Sequence, residues 1–71
     1  MRIIAIAGQD KHGVYTMSNG TNGLTDVDMH AMATSGRTPM GSPVIAVFYD
    51  ASALFDFCKA HGLRYGRQVA L

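Results

Sequence analysis

The sequence is poor in cysteine and in charged residues. Cys58 is the only cysteine, so no disulfide can form within the chain, and we expect a reducing compartment. Charged residues make up 15% of the 71 residues, and the formal net charge is +1. Strong binding to a phosphate backbone needs a positive field, and a DNA mimic needs a negative one. This charge balance provides neither, so we expect no nucleic-acid partner.

Long apolar segments are also lacking. The apolar run that follows Arg2 extends only from Ile3 to Ala7 and is followed by Gly8 and polar residues. A run of this length is too short for the apolar part of a signal peptide or for a membrane span. We therefore expect a soluble, cytoplasmic protein without a membrane partner.

Two short apolar runs are the main structural signal. Ile3 to Ala7 and Val44 to Tyr49 do not alternate with polar residues, which is typical of strands buried on both faces. Because a chain of this length can rarely cover both faces of a sheet, we expect helices on one face and a second copy or another protein on the other. This predicts a homodimer or larger assembly. Ile3 and Ile4 point to opposite faces of the first strand, and both are candidate interface residues.

Local signals place a helix in the C-terminal half. Asp50 follows the second apolar run at the position of a helix N-cap, where its carboxylate accepts hydrogen bonds from free amides of the first turn. The helix should run from about residue 51 to residue 61. Gly62 then suits the C′ position of a Schellman motif, in which Leu63 packs back on Cys58.

This helix and a strand after it complete a predicted β-α-β unit. The predicted apolar stripe of the helix, with Phe57 at its margin, consists of Ala51, Leu54, Phe55 and Cys58. A closing strand is predicted over Arg67 to Leu71.

The N-terminal half admits a local interpretation. In it, Val14 to Met17 form a strand that pairs with the first strand across the loop from Gly8 to Gly13. Thr25 or Asp26 then caps a helix that ends at Gly36.

A global interpretation competes with the local one. It places a helix over residues 14–23 and a second strand over residues 27–33, where apolar and polar residues alternate. It also puts both apolar runs in the centre of the sheet. The fold class we predict is α+β, a single domain over residues 1–71 with a four-stranded, mainly antiparallel sheet and two helices on one face. The expected order is ferredoxin-like, β-α-β-β-α-β, with β-β-α-β-α-β as the alternative.

The segment from Ile4 to Val14 carries a family resemblance. It has a hydrophobic strand, then a glycine, an acidic and a basic residue in sequence, and a Gly-Val pair, and so resembles the start of an ACT domain. His12 stands where that family usually carries proline. ACT domains are regulatory and bind small ligands, often amino acids, at subunit interfaces. The resemblance implies a ligand near the loop formed by Gly8, Asp10, Lys11, His12 and Gly13.

The remaining chemical motifs are incomplete. The loop that begins at Gly8 has the spacing of half a P-loop, but the required Lys-Ser or Lys-Thr is replaced by Val14 and Tyr15. Cys58 and His61 share a helix face, but a zinc site usually needs four ligands. We expect no catalytic residues, no metal and no cofactor.

The segment from residue 36 to residue 42 is predicted to be a mobile hairpin loop rich in glycine and proline. A methionine in such a loop is less expected to fill a hydrophobic core, so we take the loop as a contact element. Arg37 and Met40 are its candidate protein-interface residues. The functional prediction is a non-catalytic module that binds and modulates a larger protein, as host-directed phage proteins and small regulatory subunits do. The alternatives are an ACT-like sensor of an amino acid or similar metabolite and, third, a small enzyme.

Overall fold

The computed structural model describes residues 2–21 and 23–63. They form an α+β fold with the element order β1, β2, α1, β3, α2. The bounds of these elements are β1 Ala5–Asp10, β2 Gly13–Ser18, α1 Asp26–Ser35, β3 Val44–Phe48 and α2 Ala51–Ala60. The predicted closing strand lies outside the described residues. No helix within the described ranges is long and apolar enough to cross a membrane.

The three strands form an antiparallel sheet in the order β2-β1-β3. Between β1 and β3 the register shifts, because Ala7 pairs with Ala46 but Gly8 pairs with Val44. Ile45 is the extra residue of this bulge and has no partner in β1. The first apolar run is therefore central, as predicted, whereas β3 pairs on one side only within the described part of the chain.

The local interpretation of the N-terminal half is confirmed for β2 and α1. Residues 13–18 form a strand and residues 26–35 form a helix, so the predicted helix over 14–23 and the predicted strand over 27–33 are wrong. The physical reason is a capping box. The Thr25 hydroxyl accepts from the backbone N–H of Asp28 at 3.4 Å, and the Asp28 carboxylate accepts from the backbone N–H of Thr25 at 2.9 Å. These reciprocal bonds outweigh the strand-like alternation of residues 27–33.

The predicted limits of α2 are confirmed. Asp50 is the N-cap, and its carboxylate accepts from the backbone N–H of Ala53 at 2.8 Å. At the other end, the N–H of Leu63 donates to the carbonyl of Cys58 and the N–H of Gly62 to that of Lys59, which is the complete Schellman pattern. The left-handed backbone of this motif falls on Gly62, at φ +70°.

The predicted apolar stripe of α2 is only partly correct. Leu54 and Cys58 are buried, but Phe55 is 45% exposed. Phe57 is half-buried and packs against the buried cluster that contains Leu54 and Cys58. Its ring lies edge-on to that of Phe48, with centroids 5.1 Å apart, and also contacts the imidazole of His61 at 4.2 Å.

The two helices cover opposite faces of the sheet. Ile6 of β1 belongs to a buried cluster with Met29 of α1. Ala5 and Ala7, its neighbours in the strand, belong to a second buried cluster with Leu54 of α2. Because adjacent residues of a strand point to opposite faces, α1 lies on one face and α2 on the other. The prediction of two helices on one face is wrong.

Both faces of the central strand are thus covered within one chain. Ala5, Ile6 and Ala7 are each 0% exposed, because a sheet this narrow needs only one helix on each face to cover its central strand. Ile3 is buried in the α1 cluster, and Ile4 is half-buried against the α2 cluster. Ile3 and Ile4 were predicted to be interface residues because one face of the sheet was expected to be uncovered. No such open face is present at β1.

Candidate functional site

The loop with the ACT-like sequence is a tight β-hairpin turn. Asp10 pairs with Gly13, so Lys11 and His12 form a two-residue connection between β1 and β2, and both are exposed. The Asp10 carboxylate accepts from the backbone N–H of His12 at 2.8 Å. Gly13 has φ +118°, a conformation that side-chain-bearing residues rarely adopt. The element after the turn is β2.

Gly8 has a different role from the turn glycines. It is buried in β1 directly opposite Tyr15 of β2. A Cβ atom at Gly8 would lie 2.8 Å from Cγ2 of Thr38 and 3.0 Å from the ring and hydroxyl of Tyr15. The absence of a side chain at Gly8 therefore makes room for the contact between Tyr15 and Thr38.

The segment from residue 36 to residue 43 connects α1 to β3, and we call it the 36–43 loop. Its ends pair as in a hairpin, through an antiparallel bridge between Arg37 and Pro43, although a helix and not a strand precedes it. The N–H of Val44 donates to the carbonyl of Gly36, the N–H of Thr38 donates to that of Ser42, and the N–H of Gly41 donates back to that of Thr38. Residues 38–41 are thus a β-turn at the tip of the loop.

One buried contact ties the 36–43 loop to the sheet. The hydroxyls of Tyr15 and Thr38 are hydrogen-bonded at 2.9 Å, and Thr38 Oγ1 also accepts from the backbone N–H of Ser42 at 3.3 Å. Thr38 and Tyr15 are 4% and 7% exposed. The base of the loop is therefore fixed by a satisfied polar network, while its tip faces solvent.

A groove of about 300 Å³ lies between α1 and the 36–43 loop, and we call it the α1–loop groove. Its lining residues are Asp28, Ala31, Met32, Ser35, Arg37, Thr38 and Pro39. Residues 28, 31 and 35 recur at helical spacing, so they form one face of α1. The loop supplies the opposite wall. Arg37, which the sequence marked as an interface residue, is part of this lining.

Opposite charges lie at the two ends of the α1–loop groove. Asp28 is in the first turn of α1, and Arg37 directly follows the C-cap, Gly36. The Arg37 guanidinium donates through one nitrogen to the carbonyl of Gly41 at 3.1 Å, which leaves most of its five N–H groups available. Within the described ranges the only ion pair joins Arg2 to Asp26, so Arg37 has no carboxylate partner there.

Apolar side chains flank the α1–loop groove. Val27 is 76% exposed and Met40 is 63% exposed, the highest values among the exposed large hydrophobic residues. Val27 directly precedes Asp28 and lies one helical turn before Ala31, but neither Val27 nor Met40 is among the lining residues. Met40 adjoins Pro39 at the tip of the 36–43 loop. Each of the two exposed side chains therefore neighbours a lining residue of one wall of the groove.

The sequence identified only part of this site. It marked Arg37 and Met40 from the composition of the loop, but it missed Val27 and Asp28. A signal for Asp28 was present, because Thr25 followed three residues later by an acidic residue is the spacing of a capping box. That spacing fixes the helix start, and with it the side of α1 on which residues 27 and 28 lie.

The reactive side chains are not brought together. Cys58 is 1% exposed, and burial raises the pKa of its thiol, which disfavours the reactive thiolate. Hydrogen bonds from Asn19 and Arg2 lower the pKa of Asp26, while Asp28 is engaged by Thr25. Within residues 2–21 and 23–63, no three His, Cys, Asp or Glu residues are grouped so that they could hold a metal ion.

Comparisons of the chain with protein-family models, with curated proteins and with solved structures found no match. The resemblance to ACT domains is untested by them and stays a prediction.

Proposed function

We propose that this protein is a non-catalytic module that binds another protein through the α1–loop groove. The observation that carries the proposal is the exposure of Val27 and Met40, which directly neighbour lining residues of the two walls of this groove. Large hydrophobic side chains cost free energy when they stay in water, and a group of them around one groove is typical of an interaction surface. Arg37 adds a residue type that is enriched in interfaces.

The shape of the groove favours a protein over a small molecule. Small-molecule sites usually enclose most of the ligand surface within a cleft. Here Ala31, Ser35, Arg37 and Pro39 are all exposed, so the groove is open along its length. A helix or loop of another protein would cover such a surface well.

Binding of this kind suits a protein that modulates a larger one, as small regulatory subunits and host-directed phage proteins do. Two features support a role without catalysis. The buried thiol of Cys58 is in its unreactive form, and the two acidic residues at the start of α1 are engaged in capping and in an ion pair. The module therefore works by occupying a surface of its partner.

An affinity capture from the native cell tests the proposal when it is run with two matched variants. Met40→Asp places a charge beside one wall of the groove, next to Pro39. Tyr49→Asp places the same charge on a side chain of similar exposure, 48%, that follows the end of β3 farthest from the 36–43 loop. We expect one partner to be retained by the parent and by Tyr49→Asp, and to be lost with Met40→Asp.

Two results would contradict the proposal: equal retention of the partner by Met40→Asp, or no partner retained by the parent. A thermal-shift screen with amino acids tests the alternative function, an ACT-like sensor of an amino acid. A melting temperature of the parent that rises with amino-acid concentration would favour the ACT-like sensor.

A further inference from the structure

We infer that the α1–loop groove is self-complementary, and that a second copy of the same chain occupies it, in a two-fold dimer, when the larger partner is absent. This inference rests on the proposed function, since it names the partner surface of that groove. In a two-fold interface the same patch is used by both subunits, so residue i of one copy meets residue j of the other and the reverse. The α1–loop groove has the charge pattern that such an arrangement requires.

The charges are placed for reciprocal pairing. Asp28 and Ser35 lie about 10 Å apart along the α1 axis, at a rise of about 1.5 Å per residue, and Arg37 follows just beyond Ser35. A two-fold axis across the middle of the groove brings Asp28 of each copy to Arg37 of the other. A partner surface of one sign, in contrast, would meet a like charge at one end of the groove.

Both charged groups have capacity for such a pair. Arg37 uses one nitrogen for Gly41, so its guanidinium can still bind a carboxylate. The hydrogen bonds that Asp28 receives within the described ranges, from the N–H and hydroxyl of Thr25, all reach Oδ2. Oδ1 is the acceptor that a partner's guanidinium would use. Neither group has to give up its present hydrogen bonds to form the pair.

Small residues between the charges, and apolar residues beside them, supply the rest of the contact. Val27 and Met40 would leave water in both copies, which provides the driving force for association. Ala31 and Ser35 are small, so the α1 helices of the two copies can approach closely. The reciprocal charge pairs then set the register of the two copies more than they set the affinity.

Sedimentation of charge-reversed variants tests this arrangement. Arg37→Glu leaves two acidic residues in the groove, and Asp28→Arg leaves two basic ones, so each variant repels itself. We expect each to weaken self-association at least about tenfold relative to the parent at micromolar concentration. An equimolar mixture of the two variants should associate to within about threefold of the parent, because both contacts of the mixed dimer again join opposite charges.

Two control variants distinguish repulsion between like charges in the groove from a change in net charge and from a loss of folded structure. Lys11→Glu changes the net charge as Arg37→Glu does, but on the exposed β1–β2 turn, and should shift the dissociation constant less than about twofold. Thr25→Ala removes the α1 cap without altering the groove charges and should also leave association intact. Far-UV circular dichroism of each variant confirms that it is folded.

Three results would overturn the inference: a parent that remains monomeric up to millimolar concentration, an Arg37→Glu variant that associates as the parent does, or a mixture that fails to associate although both variants are folded. None of these results would decide the proposed function. That function fails only if Met40→Asp retains the captured partner or if the parent captures none.

Discussion

A methyl group added at Gly8 should destabilise the protein through a specific clash. The new Cβ would lie 2.8 Å from Cγ2 of Thr38 and 3.0 Å from the Tyr15 ring. Both neighbours are buried, so neither can swing into solvent. Overpacking of this kind costs about 1–3 kcal/mol, and loss of the hydroxyl pair between Tyr15 and Thr38 would add about 0.5–1.5 kcal/mol. Replacing a strand glycine by alanine recovers about 0.5–1 kcal/mol.

The net expectation for Gly8→Ala is a loss of about 1–3.5 kcal/mol in the free energy of unfolding. Urea denaturation followed by far-UV circular dichroism measures it, provided that the slope of the transition is unchanged. Thr38→Ser is the matched second change, because it removes only the methyl group that the new Cβ would strike and keeps the hydroxyl. The double variant should therefore recover at least about 1 kcal/mol relative to the sum of the two single changes.

The reasoning would be refuted by a Gly8→Ala protein as stable as the parent. It would also be refuted by strictly additive effects in the double variant, since these would mean that the two methyl groups do not meet. Gly13→Ala should also destabilise, but by backbone strain at φ +118°, with no recovery from Thr38→Ser.

Two further predictions concern the helix starts. Asp50→Ala should lower the free energy of unfolding by about 0.5–2 kcal/mol, because it leaves the N–H of Ala53 without its acceptor, and an unchanged urea midpoint would contradict this. The pKa of Asp26 lies below its ordinary value of 3.8, so its contribution to stability is present above the unfolded pKa and is lost as the pH falls through the folded value. Asn19→Ala removes the largest cause of this shift, and an NMR titration should then show the pKa of Asp26 moving upward.

The features that the sequence predicted correctly depend on neighbours in the chain. The cap at Asp50 and the Schellman motif at Gly62 and Leu63 join residues a few positions apart, so their residue types are sufficient to locate them. The ambiguity of residues 27–33 has a physical origin. Val27 is exposed while Met29 is buried, so the apolar residues of α1 do not form one clear helical stripe.

The features that the sequence missed depend on contacts between distant segments. Gly8 was interpreted as a turn glycine, but the atom that excludes a side chain there belongs to Thr38. The face on which α2 packs follows from its docking on Ala5 and Ala7, which no local pattern encodes. The groove likewise needed the placement of the 36–43 loop beside Asp28 before its charge pattern could be recognised.

β1 pairs with β2, which is near it in the sequence, and with β3, which is distant in the sequence. This difference implies an order of folding events. A hairpin with a two-residue turn, such as β1–β2, forms on the order of 1–10 μs in isolation, whereas β3 reaches β1 only after the whole of α1 and the 36–43 loop have been brought back. Until then, one edge of β1 and the small side chains of Ala5 and Ala7 remain uncovered. A nascent chain of this protein is therefore most vulnerable to mispairing at β1. This interval ends when β3 pairs with β1 across the bulge at Ile45.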